Sequence, residues 1–271
     1  MDFRNAKELL KVCQEQGLSI SAVMLQRELT EGEQDPEETD RKMDRVLEIM
    51  KSAASTPIHT PVKSMGGLIG GEAKKISDHK DTGKGLCGDL LERAVIYAMA
   101  TLETNASMGV IVASPTAGSA GIVPGLLLAL QETYDLSDEQ IKQGLYNASA
   151  IGYLAMRNAT VAGAVGGCQA EVGIASAMAA SATVELMGGS PEQSLAAAST
   201  VLMNMLGLVC DPVGGLVEYP CQNRNAAGVA NATIAAEIAL SGVRQLIPFD
   251  EMLEAGKGVL TLPYDQSVFN G

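Results

Sequence analysis

The phrases that organise this sequence are Gly166-Gly167-Cys168-Gln169-Ala170-Glu171, Val209-Cys210-Asp211-Pro212 and Tyr219-Pro220-Cys221. They place three of the five cysteines between residues 165 and 225. Cys168 opens a predicted helix after two glycines, Cys210 closes another before Asp-Pro, and Cys221 follows a proline in a predicted loop. Helix ends and loops expose free backbone N–H groups and leave thiols accessible. We therefore expect these three cysteines to bind one metal centre.

Spacing alone leaves the chemistry of this centre open. None of the three cysteines is paired as C-x-x-C, so the pattern matches neither a zinc finger nor a ferredoxin. Zinc would need a fourth ligand, and the two histidines, His59 and His79, lie far upstream. Three thiolates suit a 4Fe-4S cluster with one open iron, a Lewis acid that favours loss of a substrate hydroxyl. Burial of the three cysteines as small apolar residues is the remaining interpretation.

Composition narrows the class of protein. A chain of 271 residues can bury a core without disulfides, and five cysteines behind a polar N-terminus predict a reducing cytoplasm. The net charge of −13 opposes binding to nucleic acid or to an anionic membrane. Two uncharged runs, 104–131 and 193–210, are broken by prolines and glycines or are rich in Ala, Ser and Asn, which favours buried helices over membrane spans. These features indicate a small-molecule partner.

The apolar periodicity predicts a mostly α fold, a single helical domain with Gly-rich loops around the cysteine site. Trp is absent and Ala, Gly and Met are abundant, so helices should pack closely through small side chains. We expect N-terminal helices in 1–54, a Gly-rich loop region in 55–88, a cluster-binding core in 89–255 and a tail in 256–271. Cys13 falls on the apolar stripe of the first helix and is expected in the core.

Capping signals predict where helices begin. Ser19, Asp35 before Pro36, Ser137 and Ser190 each precede an apolar-periodic run and can accept a hydrogen bond from the first turn. Further helices are predicted from the periodic patterns in 89–105, 169–187, 223–240 and 250–255.

The segment Ser114-Pro115-Thr116-Ala117-Gly118-Ser119 forms a second candidate site. A turn of small hydroxyl residues and glycines before a helix would direct Thr116, Ser119 and N–H groups such as that of Gly118 at one spot, suited to a carboxylate or another anion. The lysine of a phosphate-binding P-loop is missing. A turn that only packs helices is the alternative.

The Gly-rich region contains the candidate catalytic and binding residues Lys63, Ser64, His59 and His79. So many glycines are typical of a mobile or ligand-approaching loop, and a plain linker is the alternative. A lone histidine is more often a surface or structural residue than a general base. A Ser/His/Asp site is disfavoured because no G-x-S-x-G phrase occurs.

Together these phrases resemble the iron-sulfur-dependent L-serine dehydratases, specifically the α subunit of the two-subunit bacterial type. The resemblance covers about residues 3 to 255. It rests on the phrases Ser64-Met-Gly-Gly-Leu-Ile-Gly-Gly-Glu-Ala-Lys, Ala113-Ser-Pro-Thr-Ala-Gly-Ser-Ala-Gly, Gly166-Gly-Cys-Gln-Ala-Glu-Val-Gly and Asn204-Met-Leu-Gly-Leu-Val-Cys-Asp-Pro-Val-Gly-Gly-Leu-Val-Glu-Tyr-Pro-Cys.

The resemblance implies that Cys168, Cys210 and Cys221 hold a 4Fe-4S cluster with one open iron. L-Serine would bind that iron through its hydroxyl, lose its Cα proton to a base and lose hydroxide to the iron. The released aminoacrylate becomes an imine, which water converts to pyruvate and ammonia.

The resemblance also implies a substrate pocket and a partner. The turn that carries Thr116, Gly118 and Ser119 would hold the carboxylate and amine of serine, together with the loop at Lys63 and Ser64. A separate regulatory β chain is the expected partner in an oligomeric enzyme of amino-acid degradation.

The residues from Gly256 onwards depart from the family pattern, so we expect a shortened or diverged tail. Such a tail would leave the chain weakly active, dependent on its partner or altered in substrate. The alternatives are a cysteine desulfidase that uses a similar cluster and a non-catalytic cluster-binding subunit.

Overall fold

The computed structural model describes residues 2–32 and 35–260. Within these residues the chain forms eleven α-helices and no β-strand, which confirms the predicted single, mostly α domain. The helices are α1 (Ala6–Gln16), α2 (Ile20–Glu31), α3 (Pro36–His59), α4 (Glu72–Asp81), α5 (Gly88–Ala106), α6 (Ile122–Tyr134), α7 (Asp138–Asn158), α8 (Gly163–Leu186), α9 (Pro191–Met205), α10 (Cys221–Leu240) and α11 (Phe249–Leu260).

Helix α8 lies at the centre of the fold, where α6, α7, α9 and α10 pack around it. Every residue of α8 from Val172 to Val184 is buried. These residues are mainly Ala, Ser, Gly and Met, so other helices can approach α8 on all sides. The first turns of α8, which carry Cys168, are thereby held against the neighbouring helices.

Close helix crossings depend on glycine. A Cβ atom at Gly121, at the start of α6, would lie 2.3 Å from the carbonyl oxygen of Ala98 in α5. A Cβ atom at Gly228 in α10 would lie 2.7 Å from the hydroxyl oxygen of Ser176 in α8. Both distances are shorter than van der Waals contact, so only glycine fits. The expected packing through small residues is confirmed at these crossings.

The predicted helix starts are confirmed by their hydrogen bonds. The hydroxyl of Ser19 accepts a hydrogen bond from the N–H of Ala22 at 3.2 Å, and the carboxylate of Asp35 accepts one from the N–H of Glu37 at 2.7 Å. The side chains of Ser137 and Ser190 form reciprocal capping boxes with the glutamine three residues later. These caps satisfy backbone donors that a helix leaves unpaired at its start.

The Gly-rich region is more helical than the sequence indicated. Helix α3 extends to His59, and α4 occupies residues 72–81, so the irregular segments are 60–71 and 82–87. Helix α4 has a polar sequence without an apolar stripe, because Ala73 is its buried residue. Apolar periodicity therefore does not predict this helix. The N–H of Ala73 donates to the carboxyl of Glu103 in α5 at 2.9 Å, which anchors the start of α4 from another helix.

The remaining predictions concern the core, the membrane and the tail. Cys13 is buried, as predicted. Of the described helices, none combines the length and hydropathy needed to cross a bilayer. The last helix extends to Leu260, beyond the predicted end near residue 255. The rest of the predicted tail, residues 261–271, lies outside the described residues.

Candidate active site

Cys168 follows a break in α8 that only glycine allows. Gly167 has φ 69° and ψ 176°, a conformation that side chains rarely adopt. A Cβ atom at Gly167 would also lie 2.9 Å from the carbonyl oxygen of Leu208. The N–H of Gln169 donates to that same oxygen at 2.9 Å. The break therefore joins the Cys168 backbone to the segment 206–212 that follows α9.

The positions of Cys210 and Cys221 correct two predictions. Cys210 does not close a helix, because α9 ends at Met205 and Gly207 then adopts a φ of 86°. Cys221 does not lie in a loop, because it is the first residue of α10. Pro220 precedes that helix, a place where its missing N–H costs no hydrogen bond. The cysteines thus lie at two helix starts and on one irregular segment.

Arg224 connects the three cysteine-bearing segments. It lies in the first turn of α10, and its Nη1 donates to the Sγ of Cys168 at 3.1 Å and to the carbonyl oxygen of Val209 at 3.0 Å. The same nitrogen lies 2.5 Å from the carboxylate of Asp211. Since Val209 and Asp211 flank Cys210, one guanidinium holds the start of α8, the segment 206–212 and the start of α10 together.

Burial makes the thiols of Cys168 and Cys221 weakly acidic. Loss of solvent raises the pKa of Cys168 to about 12 and that of Cys221 to about 11. The nearby charge of Arg224 lowers both pKa values, whereas Glu171 and the thiol of Cys210 raise both. Cys168 and Cys221 are therefore protonated at neutral pH and would lose their protons on binding a metal.

The cysteine sulfurs are spread more widely than ligands of a single ion. Among the His, Cys, Asp and Glu side chains of residues 2–32 and 35–260, Asp40, Asp44 and Glu139 can each offer a metal ligand within 4.8 Å of the other two, and the three cysteines do not. Lys142 already occupies that group, since its Nζ lies 2.6, 2.9 and 2.7 Å from the three carboxylates. A tetrahedral zinc ion would hold sulfurs about 3.8 Å apart. The three cysteines do not meet that spacing.

The turn at residues 114–119 lies against the cysteine-bearing helices. The hydroxyl of Thr116 donates to the carboxylate of Glu171 in α8 and shares a hydrogen bond of 3.1 Å with the buried Ser119. The side chain of Asn225 in α10 donates to the carbonyl oxygen of Gly118 at 2.8 Å. The predicted residues Thr116, Gly118 and Ser119 therefore lie beside the starts of α8 and α10.

The Gly-rich loop is held by Glu218, which precedes α10. The buried carboxylate of Glu218 accepts hydrogen bonds from the hydroxyl of Ser64 at 2.6 Å, the N–H of Gly66 at 2.6 Å and the N–H of Leu68 at 3.0 Å. Burial would raise the pKa of Glu218, but these hydrogen bonds hold it below its usual value. Ser64 thus ties its loop to the start of α10, and its hydroxyl is engaged by a protein carboxylate.

The other candidate residues are exposed. His59 and His79 lie in the last turns of α3 and α4, and Lys63 lies in the loop 60–71, beside Gly67. Within the described part of the chain, no hydrogen bond or ion pair joins any of the three to a cysteine of the site. The structure therefore groups Thr116, Gly118 and Ser119 closely with the cysteines, and it leaves Lys63 and the two histidines at the surface.

A family model described as "Serine dehydratase alpha chain" matches residues 15–262. The chain belongs to the serine dehydratase alpha chain family. The matched residues include all three cysteines of the site and both loops that lie beside them.

The chain is similar over most of its length to named L-serine dehydratases of different lengths. The chain is 49% identical over 253 residues to the probable L-serine dehydratase alpha chain of Bacillus subtilis, covering 93% of this chain and 84% of that protein. It is 46% identical to the L-serine dehydratase alpha chain of Peptoniphilus asaccharolyticus, covering 93% and 87%. It is 35% identical over 244 residues to L-serine dehydratase TdcG of Escherichia coli, covering 88% of this chain but 53% of that protein.

Several polar residues of the site were missed in the sequence, although their spacing was informative. Glu171 follows Cys168 by three positions, and Arg224 follows Cys221 by three, so each pair shares a helix face. Glu218 lies three residues before Cys221 in the same phrase. A search of the positions three residues from each cysteine would have found all three polar side chains.

Proposed function

We propose that this chain is the catalytic α subunit of an L-serine dehydratase, which converts L-serine to pyruvate and ammonia. The observation that carries the proposal is the junction made by Arg224, which brings the segments of Cys168, Cys210 and Cys221 together in a chain of the serine dehydratase family.

The three cysteines would hold a 4Fe-4S cluster. Three sulfur donors on separate segments suit it, because each thiolate then binds a different iron and the sulfurs need not crowd round one ion. When bound, the cluster supplies a Lewis acid that polarises the hydroxyl of the substrate. All five cysteines are free thiols, which fits a reducing cytoplasm.

The reaction removes the elements of water from L-serine. The Cα proton and the Cβ hydroxyl leave, the aminoacrylate product becomes an imine, and addition of water to the imine gives pyruvate and ammonia. The chain's own contribution is to bind and orient the amino acid between two fixed loops. Glu218 holds the loop 60–71, while Glu171 and Asn225 hold the turn 114–119.

A separate β chain would complete the enzyme. The relatives that the chain matches along most of their length are named alpha chains, a name that implies a partner β chain. Apolar side chains are exposed around the Glu218 contact and would be covered by this partner. They are Met65, Leu68, Leu216, Val217 and Tyr219.

The test is anaerobic reconstitution of the α chain with iron and sulfide, followed by assays with and without the β chain. We expect a brown protein with broad visible absorbance, and pyruvate from L-serine when the β chain is present. A colourless protein would contradict cluster binding. Release of sulfide from L-cysteine in place of pyruvate from L-serine would identify a desulfidase, and neither product with the partner present would identify a non-catalytic subunit.

A further inference from the structure

We infer that Glu171 binds the ammonium group of the amino-acid substrate, so that the turn 114–119 forms the amine end of the site. This inference rests on the proposed function and names a specificity-determining residue for it. It narrows the expectation that this turn and the loop at Lys63 and Ser64 hold the carboxylate and the amine of serine.

The carboxylate of Glu171 lies between two backbone segments that leave space for it. A Cβ atom at Gly118 would lie 2.5 Å from Oε1 of Glu171, and a Cβ atom at Gly163 would lie 2.5 Å from Oε2. Any larger residue at either position would displace the carboxylate. The glycines therefore fix an acidic group against the turn, and a substrate carboxylate placed there would be repelled.

Glu171 has few partners for a half-buried carboxylate. Its one hydrogen bond in the described chain comes from the hydroxyl of Thr116, and no lysine or arginine of residues 2–32 or 35–260 lies within ion-pair distance. An ionised carboxylate offers about four acceptor positions. Since an unpaired charge away from water is unfavourable, the site favours a cationic donor.

The guanidinium at the cysteine site is paired with other groups. Arg224 is paired with Asp211 and donates to Cys168. Glu171 lies three residues after Cys168, on the same face of α8. An α-ammonium group would supply the missing positive charge one helical turn from Cys168.

A second observation points to a ligand at the same turn. The side chain of Ser114 is buried, and its hydroxyl has no hydrogen-bond partner within the described residues. A buried hydroxyl without a partner costs free energy. An ammonium group has three donors, so Glu171 and a hydroxyl of this turn can both accept from it.

The experiment compares Glu171→Gln with Glu237→Gln in the reconstituted enzyme with its β chain. Glu237 lies exposed on α10, so its variant makes the same charge change away from the site. For Glu171→Gln we expect full cluster absorbance, a KM for L-serine raised on the order of 100-fold and a much smaller change in kcat. Inhibition by glycerate, which lacks the amine, should be no weaker than in the wild type. Glu171→Asp keeps the charge and should give an intermediate KM.

Several results would overturn the inference. An unchanged KM, or a fall in kcat alone, would show that Glu171 does not bind the amine. Loss of the cluster absorbance in Glu171→Gln would show that Glu171 serves the metal centre. A wild type that forms no pyruvate would overturn the proposed function as well, whereas an active wild type with a normal Glu171→Gln variant would overturn this inference alone.

Discussion

Glu218 and Glu171 make a direct comparison, because each reaches from a cysteine-bearing segment to a neighbouring loop. Glu218 accepts three hydrogen bonds from the loop 60–71 and is 3% exposed. Glu171 is half-buried and accepts one, from Thr116. A saturated carboxylate of this kind holds structure, whereas an unsaturated one retains capacity for a ligand. Two acidic residues within one site can therefore have different tasks.

The largest expected effect is the loss of iron binding when one of the three cysteines is replaced. Cys210→Ser should abolish iron binding and pyruvate formation, because serine is a poor ligand for iron in place of a thiolate. Cys87→Ser is the matched control, since Cys87 is an exposed thiol outside the site. Iron content and visible absorbance after reconstitution measure the effect. Full iron content in Cys210→Ser would remove Cys210 from the site.

The next effect separates the two carboxylates by stability. Glu218→Ala should lower the free energy of unfolding of the metal-free chain by about 3 kcal/mol, because it leaves several loop donors without a partner. Glu171→Ala should lower it by about 1 kcal/mol or less, since one hydrogen bond is lost. Urea denaturation measures both values. Equal losses in the two variants would contradict the distinction between a structural and a ligand-binding carboxylate.

Thr116→Val tests the hydrogen bond between the turn 114–119 and Glu171. It removes the donor to Glu171 but keeps the side-chain shape, so we expect a loss of stability of about 1 kcal/mol. The KM for L-serine should rise far less than in Glu171→Gln, because the carboxylate that pairs with the ammonium is retained. A KM as high as that of Glu171→Gln would assign the amine contact to Thr116.

The smallest expected effect is the pH dependence of stability that a third carboxyl, Glu103, causes. Glu103 is buried and accepts hydrogen bonds from Ala73 and Gln222. Burial raises its pKa above the ordinary value of 4.5. The folded chain therefore keeps this proton to a higher pH than the unfolded chain does. Stability should fall as the pH rises from 4.5 through the raised folded pKa, and it should fall less in Glu103→Gln. Urea denaturation over that pH range measures it, and identical profiles would contradict it.

Much of the fold was predictable, because local signals determine it. Ser19, Asp35, Ser137 and Ser190 cap the helices that their sequences predict. Helix α4 was not predictable in the same way, because its start depends on Glu103, about thirty residues away in the chain and in another helix. Local patterns predict elements that are stabilised locally.

The candidate site also has a part that local sequence predicts and a part that it does not. The cysteine phrases predicted three candidate ligands, but the contacts that bring their segments together span long stretches of the chain. Arg224 reaches Cys168 across 56 residues, and Thr116 reaches Glu171 across 55. Periodicity contains no information on such pairs. The turn 114–119 was therefore predicted to suit an anion, and the acidic side chain against it was found only in the folded chain.

The most direct test of catalysis at the three cysteines is the yield of pyruvate and ammonia from L-serine, measured anaerobically with reconstituted α chain and its β chain. We expect equal amounts of both products from the wild type and neither from Cys210→Ser. Pyruvate from Cys210→Ser at the wild-type rate, or none from a wild type that carries its full iron, would contradict the claim that these cysteines hold the catalytic centre of a serine dehydratase.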